Sequence, residues 1–188
     1  MDRRNLLKNA CGAGVCGCLL ASLLNPKDLF AETEKKNPEP QDWRLPFVKS
    51  RYVALMQILY KQLGPEAFSK MIQKMGRDCS KSIQMISDCK NNPDMYFKLM
   101  KEGWNEDVTY DKEKGVIRIV GPRRTECFCP LIDTKKTPGY VCDCSLGWQK
   151  QTFETVLGKK VDVVLEESVL RGGKRCAFKV TIKNDGAG

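Results

Sequence analysis

Cys127, Cys129, Cys142 and Cys144 form two Cys-x-Cys pairs with twelve residues between them, and Pro138-Gly139 falls inside that interval. Alternate residues of an extended strand share a face, so each pair would present its two sulfurs together. A turn at Pro138-Gly139 would then bring the second pair opposite the first. Four converging thiolates suit zinc or an iron–sulfur cluster, and two disulfides are the alternative where no metal binds. Zinc leads because it needs no redox partner. The pattern is specific for cysteine chemistry and names no substrate.

The remaining cysteines sort by context. Cys11, Cys16 and Cys18 lie in an N-terminal apolar stretch. Cys79 and Cys89 fall on one predicted helix, roughly 15 Å apart along its axis, too far to share an ion. Both lie on an apolar stripe and read as core, as free cysteine often is. Cys79, within Gly76-Arg77-Asp78-Cys79, is the better functional candidate of the two. Cys176 alternates with Phe178 and Val180 and reads as core. The chain contains no histidine, which removes Ser-His-Asp and Cys-His catalysis and imidazole ligation. Proton transfer would fall to carboxylate, lysine, tyrosine or cysteine.

Met1-Asp2-Arg3-Arg4-Asn5-Leu6-Leu7-Lys8 resembles a twin-arginine export signal. The apolar stretch over residues 9–24 is short for a membrane span, so stable membrane anchoring is not expected. Leu29-Phe30-Ala31 suits a signal peptidase. The expectation is therefore a signal over residues 1–31, the twin-arginine translocase as a partner during export, and a periplasmic or extracellular mature chain. That route carries folded proteins, often around a cofactor, an association that favours a metal loaded before export over disulfides.

Charge adds little. The whole chain carries +9; removing residues 1–31 takes away four basic and two acidic residues and leaves +7. The basic pairs Lys35-Lys36, Lys135-Lys136 and Lys159-Lys160 are scattered, without interleaved aromatics. Nothing here points to nucleic acid, and a solvated basic surface is the reading.

The elements that must position the cysteines follow from periodicity. Residues 32–46 are charged and Pro-rich, a linker. Val48, Tyr52, Leu55, Leu59 and Leu63 predict a helix over 47–63, ended by Gly64-Pro65. Phe68, Ile72, Met75, Cys79, Ile83 and Ile86 predict a second over 66–89, broken at Asn91-Asn92-Pro93. A short helix over 94–101 precedes a hairpin, residues 107–110 and 116–120 flanking a Gly115 turn. Beyond the cysteine pairs, residues 145–157 predict a helix capped by Ser145 and stopped by Gly158. Residues 161–170 and 175–182 predict two closing strands around Arg171-Gly172-Gly173-Lys174. Helices followed by a mostly antiparallel sheet with one packed helix make one α+β domain over 47–184.

Several of these blocks carry a family resemblance. Cys127-Phe128-Cys129-Pro130-Leu131, Cys142-Asp143-Cys144-Ser145-Leu146-Gly147-Trp148, Phe153-Glu154-Thr155-Val156-Leu157-Gly158 and the closing stretch from Glu167 to Phe178 resemble bacterial proteins similar to the L-2-amino-thiazoline-4-carboxylic acid hydrolase family. More distantly they resemble vinyl-reductase-type ligand-binding domains. The resemblance spans roughly residues 66–182. It implies an α+β fold with a small-molecule pocket. The expectation is an exported binding or sensor domain with a structural four-cysteine centre. The alternative is a hydrolase opening a cyclic amidine, in which Cys79 would be the nucleophile and Glu154, Glu166 or Glu167 the base. Four protein thiolates would close a zinc ion's coordination, whereas catalytic zinc keeps a position open.

Overall fold

A computed structural model describes residues 42–183. The expected export signal, with Cys11, Cys16 and Cys18, and most of the expected linker lie outside the described residues. Helix α1 runs Arg44–Lys81 and contains Gly64 at φ 73°, ψ 169°, where the two expected helices meet in a kink. Positive φ at that break suits glycine, and Pro65 starts the second half, where its missing N–H costs nothing.

The second half stops earlier than its apolar stripe predicts. Ser82 Oγ donates to the Cys79 carbonyl at 2.7 Å, and Ile83 is extended (φ −95°, ψ 107°) before the short helix α2, Gln84–Asp88. Cys79 and Cys89 therefore stand on separate helices. Helix α3, Pro93–Trp104, begins where the sequence breaks, with the Asn92 side chain accepting from Met95 N–H and Pro93 in the first turn.

Four strands form one antiparallel sheet in the order β1-β2-β4-β3. They are β1 Asp107–Asp111, β2 Val116–Val120, β3 Val161–Glu167 and β4 Ala177–Ile182. The hairpin turn is tied by Asp111 Oδ1, which accepts from Lys114 N–H at 3.1 Å. Register places Ile117 opposite Val180, and Val180 opposite Val163, so period-2 alternation lines up one apolar face. Helix α4, Asp143–Leu157, and α3 cover that face with Phe153, Val156, Tyr96 and Met100, all fully buried. On the other face Arg118 bridges to Glu166 at 2.7 Å in solvent.

A second, smaller core lies between α1 and the cysteine loop. Met56, Phe68, Ile72, Ile132 and Val141 are buried there, with Tyr60 and Tyr140 stacked at 3.9 Å. The two cores meet where α1 crosses α4. A Cβ on Gly76 would strike the Cys144 carbonyl, and one on Gly147 would strike the Gln73 carbonyl. Only glycine lets these backbones approach so closely. One step along the crossing, Ser80 and Thr152 hydroxyls bond at 2.8 Å with both side chains buried.

Candidate functional site

The local conformation of the cysteine pairs differs from the extended strands the spacing suggests. Residues 121–138 run without a strand, held by short-range bonds: Cys127 N–H to Thr134 Oγ1 at 2.9 Å, Ile132 N–H to the Cys129 carbonyl at 3.1 Å, Asp133 N–H to Thr137 Oγ1 at 3.1 Å. Pro138 then leads into a 3-10 turn over Gly139–Cys142, and Cys144 sits in the first turn of α4. The Arg171 side chain ties this turn down, donating to the Gly139 carbonyl at 3.0 Å and to Asp143 at 2.7 Å.

That change of backbone has a chemical consequence. Residues two apart on a helix do not face each other, so Cys142 and Cys144 diverge. Cys142 is buried, with its sulfur 2.9 Å from Ser168 Oγ. Burial pushes its thiol up, the Ser168 bond and Arg171 oppose that, and Cys176 adds to it. Cys127 is pushed up to about 11, first by burial and then by Cys176 and Cys142 beside it. Cys144 is pushed up to about 12, again mainly by burial, with Cys129 and then Cys79 as its next contributors. Cys79 is raised by burial and by Cys129. Tyr52, on the first half of α1, is raised by burial, then by Cys144 and Cys129.

By their leading neighbours the thiols sort into Cys127 with Cys142 and Cys176, and Cys129 with Cys144 and Cys79, while Cys127 with Cys129 and Cys142 with Cys144 still link the two groups. The sequence reading singled out Cys79 as a functional candidate but placed it on an apolar stripe, and it read Cys176 as core only. Cys79 is exposed rather than in a core, and Cys176, although packed against the main core, borders Cys127 and Cys142. The readable signal for Cys79 was Gly76 one turn before it, the glycine that lets α1 approach Cys144. Cys89 is core, as expected, with no exposure. The donor types suit zinc or an iron–sulfur cluster. Among the described residues, however, no three Cys, Asp or Glu side chains stand close enough to grip one ion as placed.

The carboxylates of the hydrolase reading are each engaged elsewhere. Glu154 Oε2 takes Arg77 at 2.9 Å, while its Oε1 is buried without a partner. Glu166 takes Arg118, and Glu167 Oε1 accepts from Lys174 N–H at 2.7 Å. Cys79 is a hydrogen-bond partner of none of them. The thiolate is the nucleophilic form, and every shifted thiol here moves away from it.

Beside the thiols lies an open groove of about 440 Å³, lined by Arg123, Arg124, Thr125, Val169, Gly173 and Lys174. Its walls continue the β2–β4 pairing through Gly121 N–H to the Cys176 carbonyl at 2.9 Å and Arg124 N–H to the Lys174 carbonyl at 3.0 Å. Arg123, Arg124 and Lys174 have no carboxylate within salt-bridge distance among the described residues.

No protein-family model matches the chain, and no curated protein matches it. Solved structures do. A trafficking protein particle complex subunit 3 from Naegleria fowleri, covalently bound to palmitic acid, superposes with a TM-score of 0.50 at 19% identity over 75% of this chain and 96% of that one. The phenol-responsive sensory domain of the transcription activator PoxR, with phenol, gives 0.49 at 16% over 71% and 74%. A vinyl-4-reductase family protein from Methanocaldococcus jannaschii gives 0.37 at 16% over 74% and 82%. The described residues form a small α+β domain whose likeness to these solved structures is weak and of low identity.

Proposed function

We propose that the chain is an exported small-molecule-binding or sensor domain, with Cys127, Cys129, Cys142 and Cys144 as a structural metal centre. Zinc is the first candidate ion and an iron–sulfur cluster the second. The observation that carries the binding reading is the open groove of about 440 Å³: Arg123, Arg124 and Lys174 line it with no carboxylate within salt-bridge distance among the described residues, although the charge of Arg124 also acts on Glu106. Its ligand would be anionic. The trafficking-particle subunit supports an organic guest on this fold, since that protein carries a palmitate covalently. The metal reading rests on the donor types and on the thiols of Cys79, Cys129 and Cys144, and of Cys127, Cys142 and Cys176, lying near enough to one another to raise each other's proton affinity. An ion would supply the positive charge that makes deprotonation of these raised thiols favourable. It would also have to draw Cys142 and Cys144 toward one centre.

The reading is tested by thermal unfolding of the protein with a panel of small carboxylates and phosphates at fixed ionic strength. A ligand at about a hundred times its Kd should stabilise the fold by roughly 2.7 kcal/mol. Arg123→Ala with Lys174→Ala should abolish that gain without lowering the unliganded melting temperature. No stabilisation by any anion, or a gain that the double variant keeps, would count against the groove.

A further inference from the structure

The first half of α1 is apolar on two opposite sides. Tyr52, Val53, Met56 and Tyr60 turn toward the protein. On the other side Phe47, Arg51, Leu55 and Ile58 follow at four-, four- and three-residue steps, the spacing of a single helix face. Phe47, Leu55 and Ile58 are 48%, 50% and 57% exposed, and Trp43 just before the helix is 69% exposed. A helix on the surface of a self-contained domain carries polar residues on its outer side. This one does not.

Charge says what could cover it. From Trp43 to Leu63 there are four cations, Arg44, Lys49, Arg51 and Lys61, and no Asp or Glu; Arg44 is paired with Asp42 just before it at 2.9 Å, which leaves Lys49, Arg51 and Lys61 without an ion pair among the described residues. Arg51 lies over the Phe47 ring at 5.2 Å, so a cation sits within the apolar face itself. A second copy packed on the same face would bring Arg51 and its neighbours against their own kind. A surface of anionic lipid answers both halves of the pattern. Apolar side chains enter the boundary between headgroups and acyl chains, Trp43 takes the interfacial position that indoles favour, and the cations meet phosphate. No described helix is long and apolar enough to cross a membrane, so the contact is peripheral.

We infer that the outer face of α1 between Trp43 and Leu63 docks reversibly on an anionic membrane surface. The test is co-sedimentation of the full chain with phosphatidylcholine vesicles made with and without phosphatidylglycerol. Every variant keeps the same N-terminal stretch, so differences between variants report on α1 alone. Binding should require phosphatidylglycerol and weaken with salt. Each cation removed should cost roughly fivefold, so Arg51→Gln with Lys61→Gln should weaken binding about 20-fold or more. Leu55→Gln with Ile58→Gln should lose it while keeping the wild-type melting temperature. Equal binding of variants and wild type would overturn the proposal, as would no binding to anionic vesicles. If scattering instead shows a dimer that Leu55→Gln with Ile58→Gln splits, and vesicles bind nothing, the face belongs to a second copy.

Discussion

The sheet core and the cysteine seam are built on opposite principles. In the sheet core, side chains do the work: Tyr96, Met100, Ile117, Phe153, Val156 and Val180 close on one another with no more than 1% exposure. At the seam the backbones of α1 and α4 nearly touch through Gly76 and Gly147, with Cys144 packed at the edge of the smaller core. Substitution in the first region should remove packing, whereas in the second it should add an obstacle. The comparison teaches that the seam has little spare volume and that its polarisable sulfurs are placed by backbone geometry.

The largest effect should separate the two modes. Phe153→Ala leaves a cavity in the sheet core and should cost about 3–5 kcal/mol by chemical denaturation. Gly147→Ala pushes a methyl into the Gln73 carbonyl and should cost roughly 1–3 kcal/mol. The second variant should also speed alkylation of Cys144 as the helices part, while the first should leave the seam thiols' relative order of reactivity unchanged. Equal changes in thiol reactivity for both would erase the distinction.

A smaller effect sharpens it through pH. Cys127 and Cys144 are raised from 9.0 to about 11 and about 12 in the folded protein. The folded state therefore holds protons that the unfolded chain gives up first. Their stabilising contribution is complete below about pH 9 and is lost as pH rises through the folded values. Metal-free protein should weaken along that alkaline limb, and Cys127→Ser with Cys144→Ser should flatten it. Core variants without a titrating group, such as Phe153→Ala, should leave the limb's slope alone, whereas Tyr96, also raised by burial, adds to it at higher pH. With an ion bound, these thiols are deprotonated near neutrality and the limb should vanish.

The same contrast explains what could be read in advance. The hairpin and the closing strands were legible because period-2 alternation is strong in Val116–Val120 and Ala177–Ile182. Asn92-Pro93 and Gly64-Pro65 marked helix boundaries because each has a backbone reason to do so. The end of α1 at Lys81 was not legible, since the apolar stripe runs on through Ile83 and Ile86 and the break rests on a Ser82 hydroxyl bond. The cysteine pairs were legible as a patch but not in their grouping. Spacing alone favoured strands, whereas Arg171, remote in sequence, ties down a helical turn that splits Cys142 from Cys144.

One anaerobic preparation tests the cysteine centre most directly, by elemental analysis combined with mass-spectrometric mapping of alkylated thiols. It should hold about one zinc per chain, or a coloured iron–sulfur chromophore. Cys127, Cys129, Cys142 and Cys144 should be shielded from alkylation until a chelator is added, while Cys79 reacts throughout. Metal-free protein in which Cys129 and Cys144 alkylate as fast as Cys79, or in which the four appear as two disulfides, would contradict it.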